Sequence, residues 1–142
     1  MHTGELIRKY RKMRGMTQAQ LAASCDMSDS AIRNYELGNR EPGKDQTGAI
    51  AKALQIAPEA LDGVSIESAR EALELLFRLE DAMGLRPKSA GGAIVLELDP
   101  TAKNAPKLAM ALGAWKAKID SLDSGETTVE DYELWKASLT SD

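Results

Sequence analysis

Residues 15–42 read Gly15-Met16-Thr17-Gln18-Ala19-Gln20-Leu21-Ala22-Ala23-Ser24-Cys25-Asp26-Met27-Ser28-Asp29-Ser30-Ala31-Ile32-Arg33-Asn34-Tyr35-Glu36-Leu37-Gly38-Asn39-Arg40-Glu41-Pro42, and the fold turns on this stretch. Thr17 stands where a hydroxyl caps a helix, and the residues after it form a helix of about two turns with Leu21, Ala22 and Cys25 inward. Asp26 and Met27 make a tight connection, Asp being one of the few side chains that enter the left-handed region readily. Ser28 caps a second helix, from Asp29 to about Leu37, which turns Ile32 and Tyr35 inward before Gly38 stops it. Gly38 to Gly43 is turn chemistry throughout.

Outward from this pair, the pattern stays helical. Upstream, Thr3 is positioned to cap a helix whose apolar residues Leu6, Ile7 and Tyr10 share one face, with Arg8, Lys9, Arg11, Lys12 and Arg14 around the rest and Gly15 at its end. His2 is expected to be frayed. Downstream, a fourth helix spans about Asp45 to Leu54 with Ile50, Ala53 and Leu54 inward, and a short fifth runs from Pro58 to Leu61. Gly48 lies inside the fourth helix, where it costs about 1 kcal/mol relative to alanine.

Two short helices joined by three residues are the helix-turn-helix layout. Gly15-Met16-Thr17-Gln18-x-x-Leu21-Ala22, then Met27-Ser28-x-Ser30-x-Ile32-x-x-Tyr35-Glu36-x-Gly38-x-Arg40-x-Pro42, then Ile50-Ala51-Lys52-Ala53-Leu54, resemble the phage-repressor family (lambda repressor and Cro, or XRE) of helix-turn-helix transcriptional regulators. The resemblance covers residues 4–62, about two fifths of the chain. It implies a five-helix DNA-binding domain whose third helix enters the major groove. Carried over by position, it puts Asp29, Ser30, Arg33 and Asn34 at base edges, where Arg33 suits guanine, Asn34 suits adenine or a phosphate, Ser30 bonds either way, and Asp29 either accepts from cytosine or supports the helix N-terminus electrostatically. It puts Gln18, Thr17, Asn39, Arg40 and Lys44 near phosphates, with Thr17 serving chiefly as a helix cap and Lys12 and Arg14 as weaker phosphate candidates. It also pairs Glu36 with Arg11 in a partly buried ion pair that fixes the third helix to the first. Lys44, Thr47 and Gly48 depart from the leucines usual in the fourth helix.

The net charge of −4 runs against the basic footprint of a DNA binder, but it is unevenly spread. Residues 1–44 hold eight Lys/Arg against five Asp/Glu, a net of +3, whereas residues 65–142 hold nine against fourteen, a net of −5. The segment that resembles a DNA reader is therefore the basic one. Cys25 is the only cysteine and His2 the only histidine, so an intramolecular disulfide and a cysteine-based zinc site are excluded. With no triad, metal cluster or glycine-rich phosphate loop, no catalytic residue, metal or cofactor is expected, and the chain reads as a non-enzyme. Cys25 reads as a small inward hydrophobe rather than a redox sensor. No run of apolar residues is long enough for a membrane span or a signal peptide, which places the protein in the cytoplasm.

From residue 65 the pattern changes, giving an expected division into a 1–64 DNA-binding domain and a 65–142 dimerisation or partner-binding region. That region reads as α+β. A long helix from Ile66 to about Met83 carries Ala69, Ala72, Leu73, Leu76, Leu79 and Met83 on its apolar side, with Glu74 and Arg78 spaced to pair. Leu85–Lys88 and Ala93–Leu98 flank Ser89-Ala90-Gly91-Gly92 as a β-hairpin. A helix from Asn104 or Ala105 to Leu122 aligns Leu108, Leu112, Trp115, Ile119 and Leu122, and Thr127-x-x-Glu130 opens a last helix with Tyr132, Trp135 and Leu139 inward. A lone hairpin is marginal in water, so its apolar strand needs a cover. The expected partners are double-stranded DNA and a second copy of the chain; no membrane partner is expected. The alternative is an antitoxin-like protein whose second half binds a protein partner while its helix-turn-helix autoregulates.

Overall fold

The structure, a computed structural model, describes residues 1–140. It is mainly helical with one antiparallel hairpin. In chain order the elements are α1 (Thr3–Met13), α2 (Gln18–Ser24), α3 (Asp29–Leu37), α4 (Lys44–Leu54), a 3-10 turn (Pro58–Leu61), α5 (Ala69–Met83), β1 (Leu85–Ala90), β2 (Ala93–Leu98), α6 (Ala105–Asp123) and α7 (Val129–Ser138). The chain falls into two compact units: Met1–Ser65 together with Leu122–Thr140, and Ile66–Ser121. The boundary expected after residue 64 is thus crossed twice, because α7 returns to the first unit. Residues 141 and 142 of the expected second region lie outside the described residues.

Capping decides where the helices begin. α1 is capped by His2 and not by Thr3: the Glu5 N–H donates to His2 Nδ1 at 3.4 Å, and the His2 N–H donates to the Glu5 carboxylate at 3.2 Å. The imidazole replaces the hydroxyl of an ordinary capping box, so this terminus is tied rather than frayed. Thr17 and Ser28 cap α2 and α3 by accepting from the N–H groups of Gln20 and Ala31. α5 starts at Ala69, later than the apolar pattern suggests, because Ser68 accepts from the Glu71 N–H. α7 is capped by Thr128, which accepts from the Asp131 N–H at 3.1 Å, one residue beyond the expected Thr127–Glu130 box. Asp26 takes φ 53 in the turn between α2 and α3.

The first unit closes a core in which Ile7, Leu21, Ile32, Ile50, Leu54 and Leu61 are fully buried, one or two from each of α1 to α4 and the 3-10 turn. Gly4 lets α1 cross close to α3: a Cβ there would collide with the Tyr35 carbonyl. Gly48 has open space above it, so nothing packs on that face of α4. Cys25 is half-buried with Sγ 3.7 Å from the Ala49 carbonyl, and burial, helped by the Asp26 carboxylate, pushes its thiol pKa up.

α7 completes this core. Ala137 is buried and Leu134 packs beside it, the Ala57 N–H donates to the Ala137 carbonyl at 2.8 Å, and Lys9 Nζ lies 3.4 Å from Glu133. The expected inward set was Tyr132, Trp135 and Leu139. Tyr132 and Trp135 are only half-buried, their rings stacked on each other at 6.5 Å, and Leu139 lies past the helix and exposed. The physical reason is the close backbone approach at Ala57, which admits alanine but not a large side chain at position 137.

The second unit is different in kind. β1 and β2 pair from Leu85↔Leu98 to Ala90↔Ala93, so the strands run through Ser89 and Ala90 and the loop is only Gly91-Gly92. Both glycines have positive φ, 57 and 84, as a two-residue type I′ turn requires. Glu74 pairs with Arg70 at 3.6 Å instead of with Arg78. Between residues 66 and 121, Ala105 is the only fully buried residue. Ala72, Leu76, Leu79 and Met83 of α5 and Leu108 and Ile119 of α6 are half-buried, while Leu73, Leu112 and Trp115 are exposed.

Candidate nucleic-acid interface

The helical period of about 100° per residue places Asp29, Ser30, Arg33 and Asn34 within about 140° of arc on α3. Ile32 and Tyr35 fall on the opposite side and are buried. Asp29, Ser30 and Arg33 are exposed and Asn34 is half-buried. Ser30 Oγ lies 3.2 Å from the hydroxyl of the capping Ser28, and Asp29 is the acidic residue of the first turn. The outer face of α3 therefore offers a carboxylate, a guanidinium, a hydroxyl and an amide at successive angles.

What holds that face in place is Glu36. Its Oε1 accepts from Arg11 Nε at 3.0 Å and Nη2 at 2.8 Å, and its Oε2 accepts from Gln18 Nε2 at 2.9 Å. Arg11 Nη1 donates onward to the Met16 carbonyl at 2.8 Å. One carboxylate thus joins α1, the α1–α2 turn, the first residue of α2 and the last turn of α3. Both charged side chains are nearly out of water, 10% and 3% exposed, so each depends on the other.

Around α3, the structure brings Asn34 and Asn39 together, with Asn39 Nδ2 donating to Asn34 Oδ1 at 3.4 Å and the Asn39 N–H donating to the Asn34 carbonyl at 3.0 Å. Gly38, at φ 79, makes that reversal possible. Arg40 follows with its guanidinium 5.9 Å from the centre of the Tyr35 ring, and Lys44 is exposed at the first position of α4. The Thr17 hydroxyl is occupied as a cap, and the Thr17 N–H donates to Gln20 Oε1 at 2.8 Å. Arg14 is engaged elsewhere: its Nε donates to the Leu54 carbonyl at 2.8 Å and its Nη2 to the Gln55 carbonyl at 3.1 Å, closing the end of α4 where Gln55 turns left-handed. Sequence reasoning missed this cap and the Gln18–Glu36 bond, since both partners are far apart in the chain. Gln18 at a helix start and a basic residue beside a glycine were the only local signals.

A helix-turn-helix family model matches residues 7–61. The solution structure of the DNA-binding domain of the P22 c2 repressor is 36% identical, and the match covers 43% of this chain and 80% of that one, with a TM-score of 0.42. The chain belongs to the helix-turn-helix family. A crystal structure of the P22 c2 repressor in complex with a synthetic operator is 35% identical, covering 44% of this chain and 94% of that one, also with a TM-score of 0.42. No curated protein matches. The segment that the family model matches ends at the 3-10 turn, so α5 to α7 lie outside it. Among the described residues, no helix is long and apolar enough to cross a membrane.

Proposed function

We propose that the protein is a sequence-specific DNA-binding transcriptional regulator, a repressor that binds a two-fold symmetric operator as a homodimer. The observation that carries this reading is the exposed arc Asp29, Ser30, Arg33 and Asn34 on α3, presented by a domain in the family of a repressor solved with its operator. Arg33 and Asn34 read base edges, with Asp29 and Ser30 adjusting the choice at the start of the helix. The backbone N–H groups at the start of α2, together with Gln18, Asn39, Arg40 and Lys44, meet phosphates on either side. Thr17 orders the first of these contacts by capping α2.

A single such domain grips one half-site, and its basic charge is modest, so useful affinity on an operator calls for two linked copies. Selection of genomic fragments by the purified protein tests the reading. Enrichment of one palindromic sequence, with half-sites about one helical turn apart, is the expected result. No specific enrichment, together with a co-purifying partner protein, would transfer the assignment to an interaction protein that uses its second unit.

A further inference from the structure

Residues 66–121 carry the ingredients of a core without closing one. Ile94, Leu96, Phe77 and Met110 are 72%, 51%, 50% and 79% exposed. Together with exposed Leu73, Leu112 and Trp115, they leave seven large apolar side chains of this unit facing water. A two-stranded hairpin left so exposed on one strand is marginal in water.

The hairpin itself specifies where the addition occurs. A two-residue turn closes on a hydrogen-bonded pair, here Ala90–Ala93, and hydrogen-bonded pairs then alternate outward through Lys88–Val95 and Arg86–Glu97. The next pair obeys the same alternation, with the Asp99 N–H donating to the Gly84 carbonyl at 3.0 Å. It follows that Ile94, Leu96 and Leu98 aim their backbone N–H and C=O groups away from β1. On β1 the equivalent outward positions are Leu85, Pro87 and Ser89, and Pro87 in the middle has no N–H to give. The β1 edge is closed to a further strand and the β2 edge is open.

We propose that β2 pairs antiparallel with the β2 of a second copy, with the two-fold axis at Leu96, to form a four-stranded sheet in the order β1-β2-β2-β1. This deepens the homodimer reading above and rests on it. Symmetry selects the register. Centring on Leu96 sets Leu96 against the partner's Leu96 and Ile94 against the partner's Leu98, so all three outward-facing residues bond. Centring on Val95 leaves Leu98 against the glycine turn. Centring on Glu97 opposes two carboxylates, a destabilising pair. In the Leu96 register each Glu97 lies beside the partner's Val95, while Lys88 of its own hairpin stays 3.2 Å away. Ile94, Leu96 and Leu98 of both copies, with Leu85 and Pro87 beside them, then make one continuous apolar face. A sheet face of that size is a foundation for the exposed residues of α5 and α6 to close upon.

The test uses the full chain. Light scattering of the wild-type protein is expected to give twice the chain mass. Leu96→Pro removes one outward N–H and leaves the β1–β2 ladder whole, as Pro87 already does opposite it, so it should halve that mass. In a Cys25→Ala background, Leu96→Cys should form a covalent dimer with copper phenanthroline, whereas Ser89→Cys on the closed edge should not. A wild-type dimer that survives Leu96→Pro and does not cross-link through Leu96→Cys overturns the β2 surface and leaves the homodimer standing. A monomeric wild-type protein, or one that assembles only with a different protein, overturns both.

Discussion

Gln18 Nε2 donates to Glu36 Oε2 at 2.9 Å, so the side chain that begins α2 holds the carboxylate that anchors α3. With Arg11 donating to both oxygens, the angle between the two helices of the motif depends on a single nearly buried group. Glu36→Ala leaves Arg11 buried without its partner and should cost about 3–5 kcal/mol, against about 1–2 for Gln18→Ala, which removes one bond to a charged group. Urea denaturation of both variants checks the order. An unchanged midpoint for Glu36→Ala would sink the anchoring role.

Base reading and phosphate gripping separate in a binding experiment. Arg33→Ala should lose about 1–3 kcal/mol on the selected operator and relax its sequence preference. Arg40→Ala should weaken operator and random DNA alike. If a dimer meets about eight phosphates, log K falls against log salt with a slope near −7, and removal of Arg40 from each copy makes it shallower. Equal loss on both DNAs for Arg33→Ala would refute base readout by that residue.

Two helical glycines should respond oppositely to alanine. Gly48 has open space where a Cβ would go, so Gly48→Ala should stabilise by about 1 kcal/mol. Gly4 faces the Tyr35 carbonyl, which is backbone and cannot step aside, so Gly4→Ala should destabilise by about 1–3 kcal/mol or more despite its helix propensity. Thermal unfolding of the pair decides it; matching shifts would mean that the α1–α3 approach is looser than described.

The docking of α7 should weaken in acid. Burial alone would raise the Glu133 carboxyl, but the hydrogen bond and charge of Lys136, with those of Lys9, outweigh it and hold the pKa below the ordinary carboxylate range. The ionised form therefore favours the docked helix. That contribution is complete above the ordinary range and fades as pH falls through the lowered value. Protection factors of the α7 amides, the intrinsic exchange rate at each pH divided by the observed rate, should fall in that window. Glu133→Gln should remove the pH dependence, and a flat profile in the wild type would exclude this linkage.

Local residues made the first 61 positions legible. Thr17, Ser28, Gly38 and the spacing of Leu21, Ile32 and Ile50 each act within a few positions of themselves, so helix starts, stops and inward faces can be read without a partner in view. The charge division is equally local. An imidazole in a capping box is an uncommon stand-in for a hydroxyl, so nothing local marks His2 as a cap, and Ser89 and Ala90 become strand residues only once paired, so the hairpin loop looks wider in sequence than it is.

Local chemistry along the chain is enough to specify a run of short capped helices with a basic motif, followed by helices around one hairpin. Tertiary structure alone decided that Gln18 joins Arg11 on Glu36, that Arg14 closes α4, and that α7 crosses back to bury Ala137 beside Ala57. Each of those contacts spans many residues; Arg14 and α7 answer backbone groups left unsatisfied after the helices have formed, and Gln18 answers the buried Glu36 carboxylate. No local pattern records that, because hydrogen-bonding demand at a helix end or a core gap exists only when the neighbouring elements are in place.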